Sequence, residues 1–306
     1  MRIDDMKLLE RLKKPQGIVD VVLDTDTYNE IDDQFALSYL LRSPEEVNLK
    51  AVLVAPFKNY RAATPGEGME KSYEEIMRLL TVCDREDFKP MVYKGSREYL
   101  PDENTFVESE AARKLVELAK AQEKEKPLYV VAIGAITNVA SALLMAPEIA
   151  EKIVIIWLGG HAHHWPDNKE FNCKQDVAGA RVLFNSKAPL VQLPCMGVVS
   201  SFVTTKYEIE HHLLGKNKLC DYLVKSITDE AVECNRGNFW SKPIWDVCAV
   251  AWLMKGNFME ERIVSRPIPQ YDHRWSFDDE RPPMVYVSHI YRDKLIEDLF
   301  TKLSAN

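Results

Sequence analysis

The chain has no apolar run near the roughly 18–20 residues that a membrane-spanning helix needs. Its first seventeen residues, MRIDDMKLLERLKKPQG, mix charges and lack an apolar core, so no signal peptide is expected. It has no C-x-x-C pair. Cys83, Cys173, Cys195, Cys220, Cys234 and Cys248 are scattered. That disfavours a structural zinc site and reads as reduced, mostly buried thiols in a cytoplasmic protein. The chain also lacks a positive balance: its formal net charge is −8, so neither nucleic acid nor a membrane surface is an expected partner. Internal repeats and low-complexity tracts are absent.

What is present is an alternation of strand and helix signals over 306 residues. Residues 1–14 read as a short amphipathic helical extension, with Met6, Leu9 and Leu12 at helical spacing. Strands are expected at 18–23, 49–54, 127–134, 152–160, in APLVQLP and at 283–290. Helices are expected from Asp32, at 71–80, 108–121 and 176–186, in a long segment capped by Gly237, at 244–254 and near 293–303. Alternation of this kind implies an α/β fold, a mostly parallel central sheet with helices on both faces. The loops richest in turn residues, 56–69 and 265–283, do not read as linkers, so the expectation is a single domain over 1–306. The second of these, rich in aromatics and charge, suits a lid or an oligomer contact equally.

One stretch stands out. In LDTDTYNEIDDQFALSYLL, Asp24 and Asp26 end a strand, and Asp32 and Asp33 open the next helix. In such sheets ligands bind beyond the carboxyl ends of the strands. Four carboxylates this close raise one another's pKa unless a cation lies among them. Oxygen ligands suit calcium or magnesium, not zinc. Helix capping alone accounts for one acid, not for D-x-D followed by DD. The order does not fit an EF-hand loop, which needs a central glycine and a terminal glutamate.

Two later segments supply further polar groups. HHWPDNKEFNCKQD places Asn168, Glu170, Asn172 and Asp176 after a strand, and Glu and Asn suit the vicinal hydroxyls of a sugar. Asp176 also suits a helix cap. In KPIWDVCAVAW, Asp246 opens an apolar helix beside Trp245, whose broad ring could bind a ligand or fill the core.

In that order, LDTDTYNEIDDQFAL, AIGAITNVASAL, IWLGGH…KEFNCKQDVAGARVLF and IWDVCAVA resemble the signature segments of the inosine–uridine-preferring nucleoside hydrolase family. The resemblance implies a Rossmann-like fold, typically oligomeric as a homodimer or homotetramer. It implies hydrolysis of a ribonucleoside to ribose and free base by a calcium-bound water. The calcium ligands it implies are Asp26, Asp33, the backbone carbonyl of Thr137, and Asp246. Asp26 is also the implied general base. Asp32, Asn59, Glu170 and Asn172 match ribose-binding positions, and Asp24 is a supporting partner or further ligand.

The chain departs from the pattern twice. Asp32 stands six positions after Asp26, because TYNEI replaces a tighter proline–glycine turn, which brings Asn29 or Glu30 toward the pocket. Trp245 stands where the usual member has a histidine that protonates the leaving base. A purine-preferring branch has Trp there and stacks the base between aromatic rings, so the resemblance leans toward purine nucleosides, with Trp240, Phe239 or Trp165 as the second ring. His161, His163 and His164 are alternative acids near the E-F-N segment. Another N-riboside, pyrimidine or nicotinamide, is the nearest alternative substrate, and a non-catalytic nucleoside-binding protein the alternative class. A phosphohydrolase using D-x-D is disfavoured, because the acidic site repels anions.

Overall fold

A computed structural model describes residues 3–305. Of the expected N-terminal helix, residues 1 and 2 lie outside the described residues, and helix α1 spans Ile3–Arg11. An eight-stranded sheet is made by β1 (Val19–Thr25), β2 (Val47–Val54), β3 (Val92–Lys94), β4 (Leu128–Ala132), β5 (Ile153–Leu158), β6 (Leu190–Leu193), β9 (Met259–Ser265) and β12 (Pro283–Ile290). Its order is β3-β2-β1-β4-β5-β6-β12-β9. All pairings are parallel except β12 with β9 at one edge. Two short ribbons, β7 (Val203–Thr205) with β8 (Ser241–Pro243) and β10 (Ile268–Pro269) with β11 (Trp275–Ser276), lie outside this sheet.

The helices are α2 (Asp32–Leu41), α3 (Pro65–Val82), α4 (Glu110–Ala121), α5 (Thr137–Met145), α6 (Phe171–Gln175), α7 (Val177–Asn185), α8 (Lys206–His212), α9 (Lys218–Glu233), α10 (Val247–Ala251) and α11 (Arg292–Ser304). Every residue of β4 and β5 is buried, which explains why these strands are unbroken apolar runs. Burying each valine or isoleucine there contributes about 1.5–3 kcal/mol relative to exposure. All ten residues of α2 are buried as well, including its two leading aspartates.

Three expectations need correction. Helix α3 begins at Pro65, well before residue 71, because Thr64 caps it by accepting from the Glu67 N–H and Pro65 opens it. Helix α9 ends at Glu233, and the first left-handed residue after it is Asn235 (φ 51°), ahead of Gly237. The helix expected over 244–254 is confined to Val247–Ala251, and beyond it the backbone hydrogen bonds tighten to three-residue spacing at Leu253 and Met254.

The chain leaves β1 toward β2 and β3 on one side, then returns to place β4 on the other. Reversals of this kind open a crevice at the carboxyl ends of the two central strands. Asp24 pairs in register with Ala132, and the Ile133 N–H donates to the Asp24 carbonyl at 2.8 Å. The acid cluster therefore sits at this switch point. Among the described residues no helix is long and apolar enough to cross a membrane.

Candidate active site

The end of β1 delivers Asp24, Thr25 and Asp26 into the crevice. The Asp24 side chain is buried and accepts from Asn138 Nδ2 at 2.8 Å, while its other oxygen has no protein partner among the described residues. Burial, opposed by Asn138, raises its pKa to about 7. Asp26 has one buried, unpartnered oxygen. Burial, and then Asp33 and Asp32, raise its pKa well above the ordinary carboxylate range. Gly134, after β4, lets the two segments approach: a Cβ there would meet Ala55 at 2.9 Å and the Asp26 carboxyl carbon at 3.2 Å.

The first turn of α2 supplies Asp32 and Asp33. The Asp246 N–H donates to Asp32 Oδ2 at 3.2 Å, tying the start of α10 to α2. Thr25 Oγ1 donates to Asp33 Oδ1. Asp33 and Asp246 also share a hydrogen bond. Burial raises Asp33 to about 6, against the bonds from Thr25 and Asp246. Burial raises Asp32 to about 8, with Lys242 opposing and Glu30 and Asp33 adding. Burial and then Asp32, Asp33 and Asp26 hold Asp246 well above its ordinary value. Carboxylate oxygens of Asp32, Asp33 and Asp246 all lie within 4.8 Å of one another. An all-oxygen, mutually repelling set beside an unpartnered Asp26 oxygen fits a hard divalent cation.

Beside the cluster is a cavity of about 220 Å³, lined by Asn29, Asp32, Glu170, Asn172, Trp245 and Asp246, among others. Glu170 caps α6, accepting from the N–H groups of Gly160, Asn172 and Cys173. Asn172 Nδ2 donates to the carbonyls of Ile133 (3.1 Å) and Leu158 (3.0 Å), which leaves its amide oxygen for a ligand. In a larger cleft of about 410 Å³ between α3 and α9, no three carboxylates among the described residues come this close together. Its Arg61 and Arg78 are paired with Glu233 and Glu75.

Other expected residues sit elsewhere. Thr137 opens α5, and its hydroxyl donates to Asp176 Oδ2 at 2.6 Å. Ile133, four residues earlier, is the one that lines the cavity. Asp176 caps α7 through the Gly179 N–H at 2.7 Å. Asn168 accepts from the His161 N–H. Asn59 is half-buried and donates to Asn29 Oδ1 at 2.8 Å, so the TYNEI loop stands between Asn59 and the cavity. Trp245 is half-buried on the cavity wall. Phe171 lines the same cavity, whereas Trp240 is buried in the core, Phe239 is 87% exposed and Trp165 packs edge-on to His161.

The histidines separate. His161 lines the cavity, His163 lies among Trp275, Phe277 and Tyr286, and His164 is exposed. The 265–283 loop packs behind them, with Trp275 Nε1 donating to the His161 carbonyl at 3.0 Å, and does not line the cavity.

Lys242 was not singled out by sequence. It is 2% exposed and its Nζ contacts Glu30 Oε2 at 2.5 Å and Glu230 Oε1 at 3.3 Å. Burial alone would lower its pKa, but Asp32, Glu30 and Glu230 raise it above the ordinary value. The one available signal was a lysine four residues before the acid that opens an apolar helix.

A family model described as "Inosine-uridine preferring nucleoside hydrolase" matches residues 21–272. A pyrimidine-specific ribonucleoside hydrolase, RihA of Salmonella paratyphi A, is 26% identical over 263 residues, covering 77% of this chain and 79% of the relative. A plant nucleoside hydrolase, PpNRh1, superposes with a TM-score of 0.74 at 20% identity, over 94% of this chain and 99% of its own. A purine-preferring ribonucleoside hydrolase from Gardnerella vaginalis gives 0.74 at 19% identity, over 93% and 98%.

Proposed function

The chain belongs to the inosine–uridine preferring nucleoside hydrolase family, and from that premise we propose hydrolysis of ribonucleosides at a calcium-loaded acidic cluster, with a lean toward purines. Membership makes it an N-ribosyl glycosidase. The observation that carries the proposal is the meeting of Asp32, Asp33 and Asp246 within 4.8 Å beside a cavity that also presents Glu170, Asn172 and Trp245.

Asp26, Asp33 and Asp246 would hold the ion, while the Thr137 carbonyl implied by the resemblance opens α5 and Ile133 lines the cavity in its stead. A bound calcium supplies Lewis-acid activation of water and a shared anchor for vicinal hydroxyls. Asp26 takes the proton of the attacking water on its unpartnered carboxylate oxygen. Asp32, Glu170 and the Asn172 amide oxygen accept from ribose hydroxyls, and Asn59 acts through Asn29. Asp24, held by Asn138, keeps the strand end in place. The concentrated negative charge favours positive character at the anomeric carbon as the C–N bond breaks. Trp245 and Phe171 both line the cavity, and stacking of a base on either ring would favour the purine lean. The RihA relatives, named as pyrimidine-specific, favour pyrimidine nucleosides as the second reading. We place the chain in the cytoplasm as a homodimer or homotetramer, the first on its six free cysteines and the second on family resemblance.

The test is base release from inosine, adenosine, guanosine, uridine, cytidine and nicotinamide riboside, before and after chelation. Chelator-sensitive purine release, lost in Trp245→Ala, is expected. Pyrimidine release that survives Trp245→Ala would overturn the purine lean and keep the chemistry.

A further inference from the structure

We infer that His161 binds the leaving base, donating a hydrogen bond from Nε2 to an acceptor atom of that base. The inference rests on the nucleoside-hydrolase reading of the cavity and deepens it, because Trp245 cannot fill the place of the family's acidic histidine.

The His161 backbone is fixed on both sides. Its N–H donates to Asn168 Oδ1 at 2.8 Å and its carbonyl accepts from Trp275 Nε1 at 3.0 Å. The ring is fixed too. Nδ1 accepts from the Met196 N–H at 3.4 Å, and Trp165 packs edge-on at 6.1 Å. A peptide N–H aimed at Nδ1 requires a lone pair there, so the ring proton sits on Nε2. Among the described residues Nε2 has no protein partner, and the side chain lines the same cavity as Trp245, Glu170 and Asp246.

A proton added at Nδ1 would face the Met196 N–H. Burial acts in the same direction and lowers the pKa of His161, with Asp167 opposing. The ring is therefore a neutral group that only donates toward the cavity. The acidic wall offers acceptors, which suit ribose hydroxyls. His161 offers a donor, which suits a ring nitrogen or a carbonyl oxygen of a nucleobase. When the C–N bond breaks its electron pair goes to the base, and a prepositioned neutral donor stabilises that developing charge. His161 keeps its proton, and the departing nitrogen is protonated from solvent.

The experiment compares His161→Ala, His161→Gln and, as a control from the same loop, His164→Ala. Each is assayed on the best nucleoside substrate and on 4-nitrophenyl riboside, whose phenolate leaves as a stable anion. His161→Ala is expected to lower kcat/KM for the nucleoside about 10- to 100-fold. That loss should exceed the loss on 4-nitrophenyl riboside by about 10-fold or more. His161→Gln, whose amide can donate, should recover part of it, and His164→Ala should match the unmodified protein. Equal losses on both substrates, or none on the nucleoside, would overturn the inference. Should His161→Ala not fold, the same comparison is made with His161→Gln against His161→Met. If the unmodified protein cleaves 4-nitrophenyl riboside but no nucleoside, the assignment of a base site falls. If it cleaves neither, the parent reading falls and this one with it.

Discussion

At the scale of single residues, the site depends on carboxylates whose surroundings resist ionisation. Asp26 is the clearest case, buried beside Asp32 and Asp33 with one oxygen unpartnered. Asp26→Asn keeps the shape and removes the base. We expect kcat at saturating nucleoside and calcium to fall about 10²–10⁴-fold, with the circular dichroism spectrum unchanged. A loss below 10-fold would assign the base elsewhere. The acids were legible in the sequence because D-x-D and DD are more than capping needs. Asn29 and His161 were legible only among alternatives, and Lys242 not at all, because each takes its role from a partner far along the chain. Asn29 meets Asn59, His161 meets Met196, and Lys242 meets Glu30 across 212 positions.

At the scale of elements, the extra residues between Asp26 and Asp32 form a clamped rim. The Asn29 N–H donates to the Asp26 carbonyl at 2.7 Å, the Tyr28 N–H donates to Ser72, and Glu30 reaches Lys242 in the middle of β8. Lys242→Met would strand Glu230, which is 6% exposed, without its cation. We expect unfolding free energy to fall by about 3 kcal/mol, read from the denaturant midpoint, with Lys242→Arg restoring most of it. No shift in Lys242→Met would show that the rim stands without its anchor. The strands read correctly from sequence were mostly apolar runs, down to the four residues of β6. Those missed, such as β3, β7 and β8, have three residues each, too few to show a period, and β9 is a charged edge strand.

At the scale of the whole molecule, a cation and protons would compete for one crevice. Asp33, Asp24 and Asp32 have pKa values raised to about 6, 7 and 8. In the ion-free protein the folded state keeps protons that the unfolded chain has lost above about pH 4, so these groups destabilise it progressively from there to about pH 8. A cation held by Asp26, Asp33 and Asp246, all of them raised, would displace their protons, so its binding would tighten as pH rises. The rise in Tm on adding calcium to chelated protein should therefore be larger at pH 8 than at pH 5. An equal or smaller rise at pH 8 would contradict the assignment of the ion to this cluster. The α/β order was legible in the sequence, and so was the place of the acids at the strand ends. The meeting of α2 with α10 was not, since nothing local links Asp32 to Asp246. That meeting has a consequence in time. Synthesis delivers Asp32 and Asp33 early and Asp246 214 residues after Asp32. The nascent chain carries half a crevice of unneutralised acids until α10 emerges. Capture of a cation by all three acids would thus wait until Asp246 has been made, a late closure between segments 214 residues apart in the chain.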